Sequence, residues 1–282
     1  GQNANKNTAI GFQSLYSIAQ SSALDTYNTS IGYSAGSAIT TGVQNTLVGG
    51  LAGDALTTGG SNVALGYQAL TTQVEYGQNV AIGTQALRDQ NVNGHGNNTA
   101  IGHQAGVSVT TGTLNTLIGS LAGDALTTGS GNVAIGFRSL SSENGNGGNT
   151  AVGFDSLRDL DAGADAYNTA VGYQAGQTMT TALRSTLVGS YAGDAITTGS
   201  DNTYLGYSAG TVSTSANSNV AVGRSALANN LNSDRNVAVG YFALGNMTSS
   251  GSVDAYNVAV GFEAGTAVTS GLQNTIIGGN AG

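Results

Sequence analysis

The pattern Asn-(Thr/Val)-x-(Ile/Val/Leu)-Gly occurs sixteen times along the chain, and only Ser185 replaces its first Asn. Eleven of the fifteen intervals between copies are 17 residues long, two are 19 and two are 21. A unit this short cannot bury its own apolar face, so successive units must stack and form a solenoid. The copies begin at residues 7, 28, 45, 62, 79, 98, 115, 132, 149, 168, 185, 202, 219, 236, 257 and 274.

The residue types in each unit indicate β-structure. Position 1 is the Asn, positions 2 to 4 are mostly β-branched residues or Ala, and position 5 is Gly in all sixteen copies. Such exclusive use of Gly predicts a backbone with positive φ or one approached too closely for a Cβ atom. We therefore predict an all-β fold, a parallel β-solenoid (β-roll or β-helix) of about sixteen 17-residue coils, with residues 1–282 as one repeat array. The chain has no Pro, as expected when nearly every strand is central in a stack.

Composition excludes several classes of function. Seven Lys and Arg against fifteen Asp and Glu give a net charge of −8, which argues against nucleic-acid binding. The absence of Cys removes disulfides and thiolate chemistry, and no apolar run is long enough to insert into a membrane. No pair of carboxylates recurs at a fixed spacing, so we expect a protein without enzymatic activity, cofactor or metal. His95 and His103 are expected to be solvated, and the aspartates at 155, 159, 161 and 165 are expected to form a solvated loop rather than a calcium site.

The repeat also predicts a role for each position. The first Asn should form a hydrogen-bonded ladder between coils, in which Ser185 keeps part of the bonding. The fourth residue, as in Ile10 and Val48, is expected to form the continuous inner core. Position 12 is apolar in seven coils that have Gly at position 9 and polar in four coils that have Leu there, which predicts one cavity filled from either site. Three further coils, with Leu15, Leu157 and Leu244 at position 9, carry apolar residues at both positions.

Position 6 carries nine of the seventeen aromatic residues, and we expect positions 3 and 6 to share the outward face. In some coils their sizes are swapped, as in Leu47 with Gly50, which is unexpected for a face that meets only water. The sequence therefore predicts that this face packs against other copies of the chain. A carbohydrate-binding aromatic ladder is the alternative. The interface candidates are Phe12, Tyr33, Tyr67, Phe137, Phe154, Tyr173, Tyr207, Tyr241 and Phe262.

The repeated Asn-Thr-Ala-Ile-Gly and Asn-Val-Ala-Val-Gly units resemble the head repeats of YadA-like trimeric autotransporter adhesins and the repeat arrays of phage tail-fibre proteins. The 17-residue coil with Thr-Thr-Gly turns departs from the shorter adhesin repeat. The resemblance implies a homotrimeric, non-enzymatic attachment fibre, located extracellularly on a cell or virion surface. Its partners would be further copies of itself and a host-surface receptor or glycan.

Three of the four longer intervals end in Asp-x-Tyr directly before a repeat Asn, and insertions in solenoids often lie on the binding side. These loops are candidates for surface recognition, although Tyr packing that pins the loop is the simpler interpretation. The loop candidates are Asp25, Tyr27, Asp165, Tyr167, Asp254 and Tyr256.

Other functions stay open at this stage. A passive self-assembling filament is the main alternative to an attachment fibre, and ice binding through the Thr-Thr turns is a minor one. Because the chain starts and stops within a coil, we expect it to be a segment of a longer fibre.

Overall fold

The computed structural model describes residues 6–18, 25–248 and 253–282. In these ranges the chain is all-β, which confirms the predicted parallel β-solenoid with coils of about 17 residues. The chain divides into two compact units, residues 1–138 and 139–282, and each is described by itself.

Each coil contributes one three-residue strand, formed by repeat positions 2 to 4. Within each unit these strands pair in parallel and in chain order, residue for residue, so that Thr46 lies opposite Val63. The strands of the first unit are β1 Thr8–Ile10, β2 Thr29–Ile31, β3 Thr46–Val48, β4 Val63–Leu65, β5 Val80–Ile82, β6 Thr99–Ile101, β7 Thr116–Ile118 and β8 Val133–Ile135. Those of the second are β9 Thr150–Val152, β10 Thr169–Val171, β11 Thr186–Val188, β12 Thr203–Leu205, β13 Val220–Val222, β15 Val237–Val239, β17 Val258–Val260 and β18 Thr275–Ile277. A separate two-stranded parallel sheet joins β14 Ser233–Asp234 to β16 Val253–Asp254.

The strands face the core with position 3, whereas the sequence analysis expected position 4 there. Position 3 is buried, as in Ala64 and Leu47, whereas position 4 is half-buried or exposed, as in Val48 and Ile10. The prediction of position 4 as the inner core was therefore wrong. A 17-residue coil has a narrow interior, and small residues at position 3 leave room for buried side chains from the facing wall.

Positions 3 and 6 consequently lie on different sides, and the size swap between them has another cause. Leu47 at position 3 is fully buried, and its methyl groups fill the space beside Gly36 and Gly53 at position 9. A Cβ atom on Gly36 would lie 2.7 Å from a Leu47 methyl carbon and 3.0 Å from an Ile39 methyl carbon. Positions 9 and 12 therefore share one space in this coil, as predicted, and position 3 of the neighbouring coil also contributes to it.

Tyr204 is the largest side chain in this packing scheme. It occupies position 3, is fully buried, and its ring fills the space beside Gly210. Its hydroxyl lies 3.1 Å from the Ser213 hydroxyl and 3.3 Å from Asn202 Oδ1. Burial raises the pKa of Tyr204 to about 12. Ser213, at position 12 of the same coil, thus provides a hydrogen-bond partner for the buried Tyr204 hydroxyl.

The position 1 side chains form the predicted hydrogen-bond ladder. Asn219 is fully buried, and its Oδ1 accepts from the backbone N–H of Asn236 in the next coil at 2.9 Å. Its Nδ2 donates to the carbonyl of Ser233 in its own coil at 2.9 Å. Ser185 keeps part of this pattern, because its hydroxyl accepts from the backbone N–H of Asn202 at 3.2 Å. The ladder therefore links coils to each other and closes each coil on itself.

Candidate functional site

In each unit the repeat strands expose a continuous uncharged surface, here called the outer face, which consists of the side chains at positions 2 and 4. Every residue in it is Thr, Val, Ile or Leu. Val188, Leu205 and Val260 are 37%, 36% and 36% exposed although each lies between two neighbouring strands. Position 2 is Thr or Val, and position 4 is always Val, Ile or Leu. A row of partly exposed aliphatic side chains of this kind is typical of protein interfaces.

The predicted aromatic residues at position 6 lie beside the outer face and are all exposed; we call them the aromatic row. In the first unit Phe12 and Tyr33 stack with centroids 5.7 Å apart. In the second unit Phe154 and Tyr173 stack at 5.2 Å, and the interplanar angle is 9°. Each ring of these pairs covers one face of its partner. That stacking reduces the ring surface open to a carbohydrate, which the ladder alternative requires.

In the second unit two further residues, which the sequence analysis missed, extend the aromatic row. Tyr191 at position 7 makes edge contacts with Tyr173 and Tyr207 at 5.3 and 5.9 Å. The Arg224 guanidinium lies over the rings of Tyr207 and Tyr241 at 5.8 and 5.6 Å. Arg224 could have been found from its position 6, where a cation can stack on aromatic neighbours.

The Asp-x-Tyr loops are anchored to the preceding coil. The Asp25 carboxylate lies 2.6 Å from Lys6 Nζ, and the ammonium lies 5.1 Å from the centroid of Tyr27. Asp254 and Tyr256 engage Arg235 in the same way, through an ion pair and a ring contact at 5.6 Å. The hydrogen bond from Lys6 lowers the pKa of Asp25. We call this arrangement the clasp.

The third loop is anchored by a different group. Asp165 Oδ1 accepts from the backbone N–H of Gly147 at 2.9 Å, and Tyr167 lies against Gly148. Tyr27, Tyr167 and Tyr256 are still 51%, 62% and 49% exposed. The loops are therefore pinned and also present an aromatic side chain to solvent, which leaves their role in recognition a prediction. The inserted residues of the two 21-residue intervals fall partly at 19–24 and 249–252, outside the described residues.

The acidic loop of the second unit is engaged by an arginine. Arg158 lies 2.5 Å from Asp159 and 3.5 Å from Asp155. Within the described ranges no group of three or more His, Cys, Asp or Glu side chains could hold a metal ion.

A search of the same ranges found no helix with the length and hydrophobicity needed to cross a membrane.

The first unit has a surface groove of about 410 Å³ lined by Val74, Glu75, Tyr76, Asn91, Val92 and Asn93. His95 contacts the edge of the Tyr76 ring, with centroids 6.1 Å apart. His103 lies apart from this groove, exposed at position 6. The groove is formed where a 19-residue coil passes a 17-residue one, so sequence spacing indicated the irregularity but not the groove.

The first Thr of a Thr-Thr turn uses its hydroxyl to bond the next coil. The Thr110 hydroxyl donates to the carbonyl of Thr127 at 3.1 Å, and the Thr180 hydroxyl donates to the carbonyl of Thr197 at 3.0 Å. These hydroxyls stabilise the stack of coils, which disfavours a role for them in binding ice.

Comparison with known proteins returned no match among family models, curated proteins or solved structures.

Proposed function

We propose that the chain is a structural, non-enzymatic repeat module of an extracellular attachment fibre, of the adhesin or tail-fibre type, that self-associates through the outer face and the aromatic row. The observation that carries this proposal is the outer face itself, which is uncharged along the sixteen repeat strands and partly exposed. Aliphatic side chains that stay partly exposed on successive strands are typical of a surface that another protein surface covers. A homotrimer on a cell or virion surface is the assembly that the sequence resemblance implies.

Sedimentation equilibrium at micromolar concentration tests self-association. We expect the full chain to form a defined oligomer, trimeric if the resemblance extends to assembly. A monodisperse monomer would contradict the proposal.

A pair of variants locates the interface. Val222→Glu with Val239→Glu places two carboxylates on the outer face, and burying an unpaired charge costs about 3–5 kcal/mol. We expect this variant to sediment as a monomer with unchanged circular dichroism. Thr181→Glu, at an exposed turn away from the strands, is the matched control and should assemble normally. Equal assembly of the two variants would exclude the outer face as the interface.

Attachment is a separate step of the proposal, and the Asp-x-Tyr loops are its candidate carriers. Replacement of Tyr27, Tyr167 and Tyr256 by Ala should leave the oligomer folded, because each side chain is half-exposed. We expect the variant to lose binding to host cells that retain the unaltered chain. Binding that persists would remove the loops from recognition. A chain that binds no cells at all would favour the alternative of a passive filament.

A further inference from the structure

We infer that Asn93 is a site of spontaneous covalent modification, in which its side-chain amide is converted to a carboxylate through a cyclic imide with Gly94. Asn93 is followed by Gly94 in a bend of the 19-residue coil that begins at Asn79. The chain contains three Asn-Gly steps, at residues 93, 144 and 146. The chemistry requires the backbone nitrogen of the glycine to reach the asparagine side chain, and Gly offers the least steric hindrance.

The environment of Asn93 leaves both reacting groups free. Asn93 is exposed, and neither its side chain nor the backbone N–H of Gly94 forms a hydrogen bond with any described residue. Gly94 has φ of +144°, and a Cβ atom added to it would meet nothing within 4 Å. Rotation at Asn93 and Gly94 toward the reactive geometry therefore breaks no hydrogen bond of these two residues.

The step at Asn146-Gly147 has the same sequence but the opposite environment. The backbone N–H of Gly147, which would be the nucleophile, donates to Asp165 Oδ1 at 2.9 Å. The Asn146 side chain donates from Nδ2 to Glu143 Oε1 at 2.8 Å. Both reacting groups are thus held by carboxylates, and bonds to charged groups are stronger than neutral ones.

The reaction is balanced with water alone. The Gly94 nitrogen attacks Asn93 Cγ and forms the C–N bond of the imide. The Cγ–Nδ2 bond breaks, and ammonia leaves with the proton from the Gly94 nitrogen. Water then opens the imide at either carbonyl and gives aspartate or isoaspartate. The product places a second carboxylate in the groove that already carries Glu75.

Peptide mapping by mass spectrometry after incubation of the full chain at neutral pH tests the inference. We expect Asn93 to convert about tenfold faster than Asn146, a difference of about 1.4 kcal/mol in activation free energy. In denaturant the two rates should become similar, since the folded environment is lost. Equal rates in the folded protein would overturn the inference, and so would a tenfold difference that persists in denaturant.

Two variants provide the internal control. Asp165→Ala removes the acceptor from Gly147 and should raise the rate at Asn146 several-fold while leaving Asn93 unchanged. Asp165→Asn keeps an acceptor oxygen and should have little effect. An unchanged rate at Asn146 in Asp165→Ala would show that the hydrogen bond does not protect it, and the structural basis of the inference would fail.

Discussion

Single glycines are required by atomic contacts between coils. Gly49 at position 5 has φ of +137°, a region that side chains with a Cβ rarely adopt. A Cβ atom there would lie 2.5 Å from the carbonyl oxygen of Gly66 in the next coil. Both causes that the repeat predicted, positive φ and close approach, therefore act at the same residue.

Gly49→Ala should destabilise the first unit by about 3 kcal/mol, because backbone strain and the contact with the next coil add. Gly131→Ala is the matched control: φ is +69°, but nothing lies within 4 Å of its Cβ position. We expect Gly131→Ala to lower the free energy of unfolding by about 1 kcal/mol. Urea denaturation of both variants measures the difference, and equal costs would mean that the close approach contributes nothing.

Glu143 is a buried carboxylate at position 12. Its Oε1 accepts from the backbone N–H groups of Asn144 and Asn146, but its Oε2 is buried without a partner. Burial raises the pKa of Glu143 above its ordinary value of 4.5. The folded state therefore binds the proton more tightly than the unfolded state. The protonated carboxyl thus favours the folded state. Its contribution to the free energy of unfolding is fully present below pH 4.5 and is lost as pH rises through the raised pKa of Glu143.

Glu143→Gln should remove this pH dependence and stabilise the second unit at neutral pH by about 1–2 kcal/mol, since no charge then has to be buried. Gln73 and Gln90 already occupy the same repeat position in the first unit. Denaturation at a series of pH values from acidic to neutral measures the effect. If the free energy of unfolding depends on pH in the same way in the variant and in the unaltered protein, Glu143 is not the cause of the pH dependence.

At the scale of the strand and its ladder, position 1 contributes through buried hydrogen bonds rather than through a ligand. Asn219→Ala should destabilise the second unit by about 1–3 kcal/mol, because the backbone N–H of Asn236 loses its buried acceptor. The carbonyl of Ser233 keeps a donor in Asn230 Nδ2, at 2.9 Å. Asn219→Ser should cost less, as Ser185 shows that a hydroxyl can accept from the next coil. Hydrogen exchange of the Asn236 backbone N–H compares the two variants. If both lose protection equally, the ladder hydrogen bond is not the cause of the destabilisation.

Sequence periodicity was sufficient to predict the solenoid and the ladder. It was not sufficient to orient a three-residue strand, because Ala at position 3 and Ile or Val at position 4 are both apolar. We expected the larger residue inside. A correlation within the chain carried the correct answer: Leu47 and Tyr204 at position 3 occur with Gly53 and Gly210 at position 9. Residues whose sizes compensate share one interior.

The candidate site was predictable only in part. The aromatic row follows from its repeat position, whereas Tyr191 joins it from position 7 and Arg224 joins it as a cation. Lys6 and Arg235, the basic residues of the clasp, each stand directly before a repeat Asn. They therefore hold the same repeat position as Tyr27 and Tyr256 in the coils that follow. Those pairings could have been found by aligning coils. The groove beside Asn93 depends on loop conformation, which spacing does not specify.

At the scale of the whole molecule, stability should be local, because each coil contacts only its neighbours. Leu87→Ala removes a fully buried side chain and should cost about 3 kcal/mol. We expect faster hydrogen exchange in the coils that begin at residues 62, 79 and 98, and unchanged exchange in coils beyond residue 202. Ile82→Ala, on the outer face of the same coil, should have a smaller effect. Uniformly faster exchange along the chain would indicate one cooperative unit instead.

The ladder also has a direction. In every described link the acceptor belongs to the earlier coil and the backbone donor to the later one, as for Asn219 and Asn236. During synthesis from the N-terminus, each emerging coil therefore meets an acceptor that is already in place. The chain can fold vectorially, one coil per 17 residues leaving the ribosome, with every completed coil serving as the template for the next.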